Sequence, residues 1–244
     1  MKLSDLLSII EHTAKRNKIS KPYIVGGFVR DILLKRVDEI KDVDITCGDK
    51  SSLLLGPAVV KNIKGATLMS FNDGHSRLSY GSIYVDFSNN FIVPNIKKLL
   101  HEKNIKYTKT MYEELYSRDF TMNSLLMPLD MSSISDLTNE GIADINKKII
   151  KTCLNPEITF TSDPKRIIRL IYLCSKLNFN PDHTAINWVK KNGNLLSKVN
   201  NIYIRNKIIK AMKYDKEKTI SLLSTLNLIK YIPNVDTIAY KIEA

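Results

Sequence analysis

The sequence predicts an α+β chain, in which a domain of mixed strands and helices precedes an all-helical one. Two observations predict it. In the first half, short apolar runs alternate with helical patterns, beginning with Tyr23-Ile24-Val25, the pair Gly26-Gly27 and a helical stretch from Phe28 to Lys35. From about Asp144, apolar residues recur at helical spacing with Asn-, Pro- and Gly-containing breaks between them. With 244 residues the chain is long enough for one or two domains with a real core.

Taken in order, Leu3 to Lys18 carries apolar residues at Leu3, Leu6, Leu7, Ile10 and Ala14, an amphipathic helix for which Ser4 is the expected cap. A strand at Tyr23–Val25, the glycine pair and the helix follow. Asp42 to Thr46 alternates as a strand does. Ser51 to Gly65 is ambiguous, with Gly56-Pro57 read as a breaker. Thr67 to Phe71 and Ser82 to Phe87 read as strands, with a turn near Asn72-Asp73-Gly74. Asn89 to Tyr116 is polar and Lys-rich and reads in part as a mobile loop, whereas Phe120 to Met127 reads as an apolar helical run. Helices are expected over Ile167–Leu177, Thr184–Val189, Ile202–Met212 and Ile220–Ile229.

The formal charge is +12, from 37 Lys/Arg and 25 Asp/Glu, which suits a polyanionic partner. Between Asn146 and Lys218, sixteen Lys/Arg stand against five acids, so nearly all the excess lies in the second half. Solvated lysines on helix surfaces would explain part of it; the uneven split points to a nucleic-acid surface. Cys47, Cys153 and Cys174 show no CxxC spacing and read as reduced thiols of a cytoplasmic protein. The apolar runs are too short for a membrane span, and the N-terminus does not read as a signal peptide. The four histidines form no close pair, which argues against a zinc site.

Gly26-Gly27, joining strand to helix, would let backbone N–H groups approach a phosphate closely. Asp42 and Asp44, at i and i+2 of a strand, share one face beside it, and Asp86 in Ile83–Phe87 belongs to another strand. Carboxylates so gathered repel one another unless cations neutralise them, and magnesium suits an oxygen site that also recruits phosphates. The alternative is a pair of surface aspartates at a strand end. Asp163-Pro164 is by itself an ideal helix start, with Asp as cap and Pro in the first turn. Trp188 reads as a core residue rather than a base-stacking one.

Four ordered segments resemble one family, that of class II tRNA nucleotidyltransferases (CCA-adding enzymes) and bacterial-type poly(A) polymerases. Gly26-Gly27-Phe28-Val29-Arg30-Asp31 with Asp42 and Asp44 resembles its first motif. Arg118-Asp119-Phe120-Thr121-Met122-Asn123 resembles the second, which contacts the ribose of the incoming nucleotide. Gly141-Ile142-Ala143-Asp144-Ile145 resembles the segment leading into the helical neck, and Asp163-Pro164-Lys165-Arg166-Ile167-Ile168-Arg169 the nucleobase-selecting motif.

The resemblance implies a polymerase-β-type nucleotidyltransferase head with a mixed sheet, residues 1–140, and a helical neck, residues 141–244, that selects the base and binds RNA. It implies Asp42, Asp44 and Asp86 as catalytic carboxylates holding two Mg2+ ions. Gly26, Gly27, Arg30, Arg118, Asp119, Asn123, Asp163, Arg166 and Arg169 become nucleotide contacts. A carboxylate at Asp163 accepts from an exocyclic amine while the Arg166 guanidinium donates to the neighbouring ring acceptor, a pattern that fits ATP and CTP. Ser117, Ser162 and Tyr172 depart from the pattern, standing where the family has Arg, an acid and Arg. The neck is the last segment matched, so the body and tail domains that grip the tRNA elbow in that family are expected to be missing. The expected activity is addition of C and A to the 3′ end of tRNA, with poly(A) polymerase as the runner-up. Two other classes remain: a non-catalytic RNA-binding protein on a degenerate scaffold, and nucleotide transfer to a small molecule or protein.

Overall fold

The computed structural model describes residues 1–36, 42–72, 74–88, 96–104, 115 and 117–232. It divides into two compact units, Met1–Ala143 and Asp144–Ala244.

The first unit opens on helix α1 (Leu3–Arg16), whose Leu6, Leu7, Ile10 and Ala14 are buried. Ser4 lies inside the helix and is not its cap. Asp5 closes the first turn instead, accepting from the Lys2 N–H at 2.9 Å. Then come β1 (Tyr23–Val25), α2 (Gly27–Leu33), β2 (Asp42–Thr46), α3 (Ser52–Val60), β3 (Thr67–Ser70), β4 (Ser76–Tyr80), β5 (Ile83–Ser88) and α4 (Ile96–Glu102). A 3-10 turn at Thr121–Asn123, β6 (Leu125–Pro128) and β7 (Ser135–Asp136) complete it. One seven-stranded mixed sheet runs in the order β3-β4-β5-β2-β1-β6-β7. Its neighbours are antiparallel except β2 and β5, which are parallel.

That parallel pair sets the core and the site together. Val43, Ile45, Val85 and Phe87 are buried on one face, while Asp42, Asp44, Tyr84 and Asp86 alternate onto the other. The alternation is what β2 and β5 share with their sequence patterns.

Three expectations are corrected. Gly56-Pro57 does not break the chain but lies inside α3. Pro57, the sixth of the nine residues of α3, costs the helix one interior N–H donor, and Gly56 is needed for packing: a Cβ there would stand 2.4 Å from Ser76 Oγ and 3.1 Å from Phe87. Phe120 to Met127 is not a helix. Leu125-Leu126-Met127-Pro128 is a strand buried along its whole length between β1 and β7, and periodicity does not separate such a run from a buried helix. Between the two expected strands at Thr67 and Ser82 lies a third, β4, paired to both. Of Asn89 to Tyr116, Ile96–Glu102 is helical, and most of the remainder, including the expected loop, lies outside the described residues.

The second unit contains α5 (Gly141–Lys147, which starts in the first), α6 (Pro156–Ser162), α7 (Lys165–Leu177), α8 (His183–Asn192), α9 (Asn201–Tyr214) and α10 (Lys216–Thr225). Four of these starts are capped as their sequences suggest: Asn155, Asp182, Asn200 and Asp215 each accept a backbone N–H from the first turn that follows. Helix α7 packs on both α9 and α10, burying Ile167, Leu170, Ile171 and Cys174 with Ile204, Ile208, Ala211 and Leu223. The unit is not wholly helical, since β8 (Ile149–Ile150) and β9 (Asn180–Pro181) pair in parallel. Among the described residues, no helix is long and apolar enough to cross a membrane.

Candidate active site

Gly26 adopts φ 82° and ψ −143°, a conformation open in practice only to glycine. A Cβ built there would stand 2.7 Å from Asp44 Oδ2 and 3.6 Å from Arg118 Nη1. The turn therefore brings bare backbone, a carboxylate and a guanidinium to one point. Helix α2 behind it has seven residues, under two turns, so the expected phosphate cradle rests on the glycine backbone rather than on a long helix.

Beneath the turn lies a closed polar network. Arg30 Nε and Nη2 donate to Asp31 Oδ1 and Oδ2 at 2.8 and 2.9 Å, and Nη1 donates to Asn123 Oδ1 at 2.8 Å. Asn123 Nδ2 donates in turn to Asp119 Oδ1 at 2.9 Å, which also accepts the Phe120 N–H. Arg30, Asp31, Asn123 and Asp119 are each less than a tenth exposed. Arg30, Asp119 and Asn123, expected to face a nucleotide, also brace the α2 segment against the segment carrying Arg118. Arg118, half-buried, reaches Gly26, and Arg30 Nη2 lies 3.2 Å from where a Cβ on Gly27 would stand, so both guanidinium groups border the glycine pair. Ser117 beside it is buried.

Register places Asp44 opposite Asp86 on adjacent parallel strands, with Asp42 one pleat away on the same face. Asp86 is already engaged. Arg77, its cross-strand partner on β4, donates to both its oxygens at 2.7 and 2.6 Å. This hydrogen bonding raises the Arg77 pKa above its ordinary value; partial burial opposes the rise, and the charges of Asp86, Asp42 and Asp44 add to it. Of the three expected carboxylates, Asp86 is thus held in an ion pair. Among the described residues, no group of three or more His, Cys, Asp or Glu side chains is arranged to hold a metal ion. Carboxylate oxygens are nevertheless the donors a hard cation takes, and Asp44 Oδ2 lies close against the bare backbone of Gly26. Asp42 and Asp44 fit magnesium; Asp86 would bind it in competition with the Arg77 guanidinium. Arg77 was missed in the sequence. The signal was a cross-strand one, Ser76 to Tyr80 alternating opposite Ile83 to Phe87 around Gly81.

In the second unit, Asp163 Oδ1 accepts the Lys165 N–H at 3.1 Å, so the residue does cap α7. Arg166 is buried, with Nη1 3.5 Å from the Thr159 carbonyl oxygen, and Ser162 Oγ donates to that same carbonyl at 3.0 Å. Arg169 is half-buried. Trp188 is also half-buried and stacks on Phe160, with ring centroids 5.5 Å apart.

Residues 22–151 match the family model of the poly A polymerase head domain, more than half of the chain. The chain belongs to that family. This poly A polymerase head family member is 30% identical over 189 residues to the CCA-adding enzyme of Lactobacillus helveticus, covering 77% of this chain and 45% of that protein. It is 27% identical over 229 residues to the CCA-adding enzyme of Staphylococcus epidermidis, covering 89% and 52%. The chain thus spans about half the length of these curated relatives. Among solved structures, the Thermotoga maritima CCA-adding enzyme complexed with tRNA-CCA superposes with a TM-score of 0.74 at 22% identity, over 93% of this chain and 51% of that one. The Bacillus stearothermophilus CCA-adding enzyme in complex with CTP gives a TM-score of 0.74 at 22% identity, over 96% and 55%. These likenesses establish the fold, an α+β head with a mixed sheet followed by a helical region.

Proposed function

We propose that this family member is a template-independent RNA 3′-terminal nucleotidyltransferase that adds C and A, from CTP and ATP, to the 3′ end of tRNA. The observation that carries the reading is the convergence of Asp44, Arg118 and the bare backbone of Gly26, with Asp42 on the same strand face. In the reaction the terminal RNA hydroxyl oxygen bonds to the α-phosphorus, the bond from that phosphorus to the bridging oxygen breaks, and pyrophosphate leaves. Gly26 and Gly27 admit the triphosphate to the end of β1, and Arg118 donates to its oxygens. The buried network through Arg30 holds both segments in place, so little reorganisation is needed when substrate arrives. Magnesium, held by Asp42 and Asp44, would supply neutralising charge. Residues 1–140 would serve as the catalytic head. Residues 141–244 would select the base, through the Asp163 carboxylate and the Arg166 guanidinium with Arg169 in support, and bind RNA. The names of the curated relatives, and the tRNA and CTP in the two structures, support this substrate class.

The test is incorporation of labelled CTP and labelled ATP, offered separately with magnesium, into a tRNA transcript lacking its CCA end. CTP incorporation that is lost in Asp42→Asn and Asp44→Asn supports the reading. Long adenosine tails with no CTP incorporation replace it with poly(A) addition, which the family's description favours. No incorporation by a protein that still binds RNA rejects both.

A further inference from the structure

The second unit carries a feature that begins within the base-selecting motif, at Lys165 and Arg169, and runs well beyond it. Helix α7 buries nine of its thirteen residues, and the four left open are Lys165, Arg169, Tyr172 and Lys176. Their spacing of i, i+4, i+7 and i+11 makes them one stripe. On α9, Tyr203, Lys207, Lys210 and Tyr214 repeat the same spacing. The stripes meet along the line where the two helices pack. Lys165 Nζ lies 5.7 Å from the Tyr203 ring centre, Lys207 Nζ 4.3 Å from Tyr172, and Lys176 Nζ 5.9 Å from Tyr214. Tyr172 and Tyr214 also meet edge to face at 5.9 Å. Cation and ring thus alternate across the seam from one end to the other, over about 16 Å at 1.5 Å per residue.

Charge gives the seam its direction. Each helix carries four Lys/Arg and no carboxylate. The acids that flank them, Asp163 before α7 and Asp215 after α9, accept backbone N–H groups. Like charges set three and four residues apart on adjacent helices repel, and the faces of the tyrosine rings offset that repulsion only in part. A polyanion would complete the offset. Solvent-accessible rings add a surface for unpaired bases: Tyr214 is 51% exposed and Tyr172 beside it is half-buried.

We propose that the α7–α9 seam is a binding track for single-stranded RNA, phosphates lying on Lys165, Lys176 and Lys207 and bases against Tyr172 and Tyr214. The inference rests on the proposed function in taking RNA as the substrate, but its test needs no catalysis. Binding of a labelled, unstructured oligoribonucleotide is followed by fluorescence anisotropy across a salt series, with thermal unfolding as the control for folding. Tyr214→Ala weakens binding about tenfold while Tyr214→Phe retains it, as loss of one stacked base requires. Lys207→Gln lowers the slope of log affinity against log salt by about 0.7, one single-strand phosphate contact. Lys190→Gln on α8 leaves affinity within twofold. Wild-type affinity and slope in both seam variants overturn the proposal. So does equal weakening for duplex RNA, or a loss confined to phosphatidylserine vesicles. If wild-type protein incorporates CTP and the seam variants bind normally, the track fails and the enzyme reading stands. If nothing is incorporated and the variants lose RNA, the converse holds.

Discussion

Replacing Gly26 by alanine separates the contribution of the glycine turn from that of the carboxylates. The added Cβ meets two obstacles. At φ 82° and ψ −143° an L-residue is strained by about 1–3 kcal/mol, and the methyl would sit 2.7 Å from Asp44 Oδ2, closer than real contacts allow. The Asp44 carboxylate is the softer partner and would move by roughly 1 Å, a displacement that costs on the order of 100-fold in rate at a reacting centre. Gly65 is the matched control: its φ of 84° resembles that of Gly26, and a Cβ there meets nothing within 4 Å. Urea unfolding should show both substitutions destabilising by about 1–3 kcal/mol, Gly26→Ala the more, whereas only Gly26→Ala should lose CTP incorporation. If Gly26→Ala incorporates CTP at the wild-type rate, or if Gly65→Ala loses activity equally, the contact between turn and carboxylate has no functional weight.

Four further outcomes are expected. Arg30→Met leaves Asp31, Asn123 and Asp119 buried with broken partnerships and should cost about 3–5 kcal/mol in urea unfolding; a loss under 1 kcal/mol would deny the network its bracing role. Arg77→Met releases Asp86, so the magnesium concentration for half-maximal incorporation should fall severalfold, and a rise would count against that competition. Ser76 Oγ is buried with no hydrogen-bond partner among the described residues. Ser76→Ala should therefore be neutral or stabilising and should relieve part of the 1–3 kcal/mol that Gly56→Ala is expected to cost by overpacking, about 1 kcal/mol of coupling in a double-mutant cycle. Burial pushes the Cys174 thiol from its ordinary 9.0 up to about 12, with Lys218 opposing the shift. Between those values the unfolded chain has lost a proton the folded one keeps, so this thiol's contribution to stability is intact below pH 9 and falls as pH rises toward 12. The pH slope of stability should then be steeper for wild type than for Cys174→Ala.

How much was legible in the sequence differs by element. β1 and β2 could be read to the residue, because an apolar run ending in two glycines and an Asp-Val-Asp-Ile alternation admit few other conformations. The caps at Asn155, Asp182, Asn200 and Asp215 each join residues two or three apart, yet they were not picked out in the sequence. β6 was misread because burial on both faces erases the period that distinguishes strand from helix, and Pro57 because the packing of α3 outweighs the lost interior N–H. At the site, the pairing of Asp42 with Asp44 was visible, being two residues of one strand. The engagement of Asp86 by Arg77 was not, since it depends on the partner strand that the sequence reading did not find. Burial of Arg30, Asp119 and Asn123 was likewise hidden, because a guanidinium 93 positions from its amide partner leaves no local trace.

The parallel pairing of β2 with β5 ties reactivity to folding. Sliding either strand by a single residue would turn Val43, Ile45, Val85 and Phe87 out of the interior and drive aspartates into it. Mutations that weaken the hydrophobic interlock are thus expected to misalign the acids before they unfold the protein. Alignment of Asp44 with Asp86 therefore needs no safeguard of its own: whatever keeps the interior packed keeps the acids in step, even as the β3–β4 excursion between them changes in length.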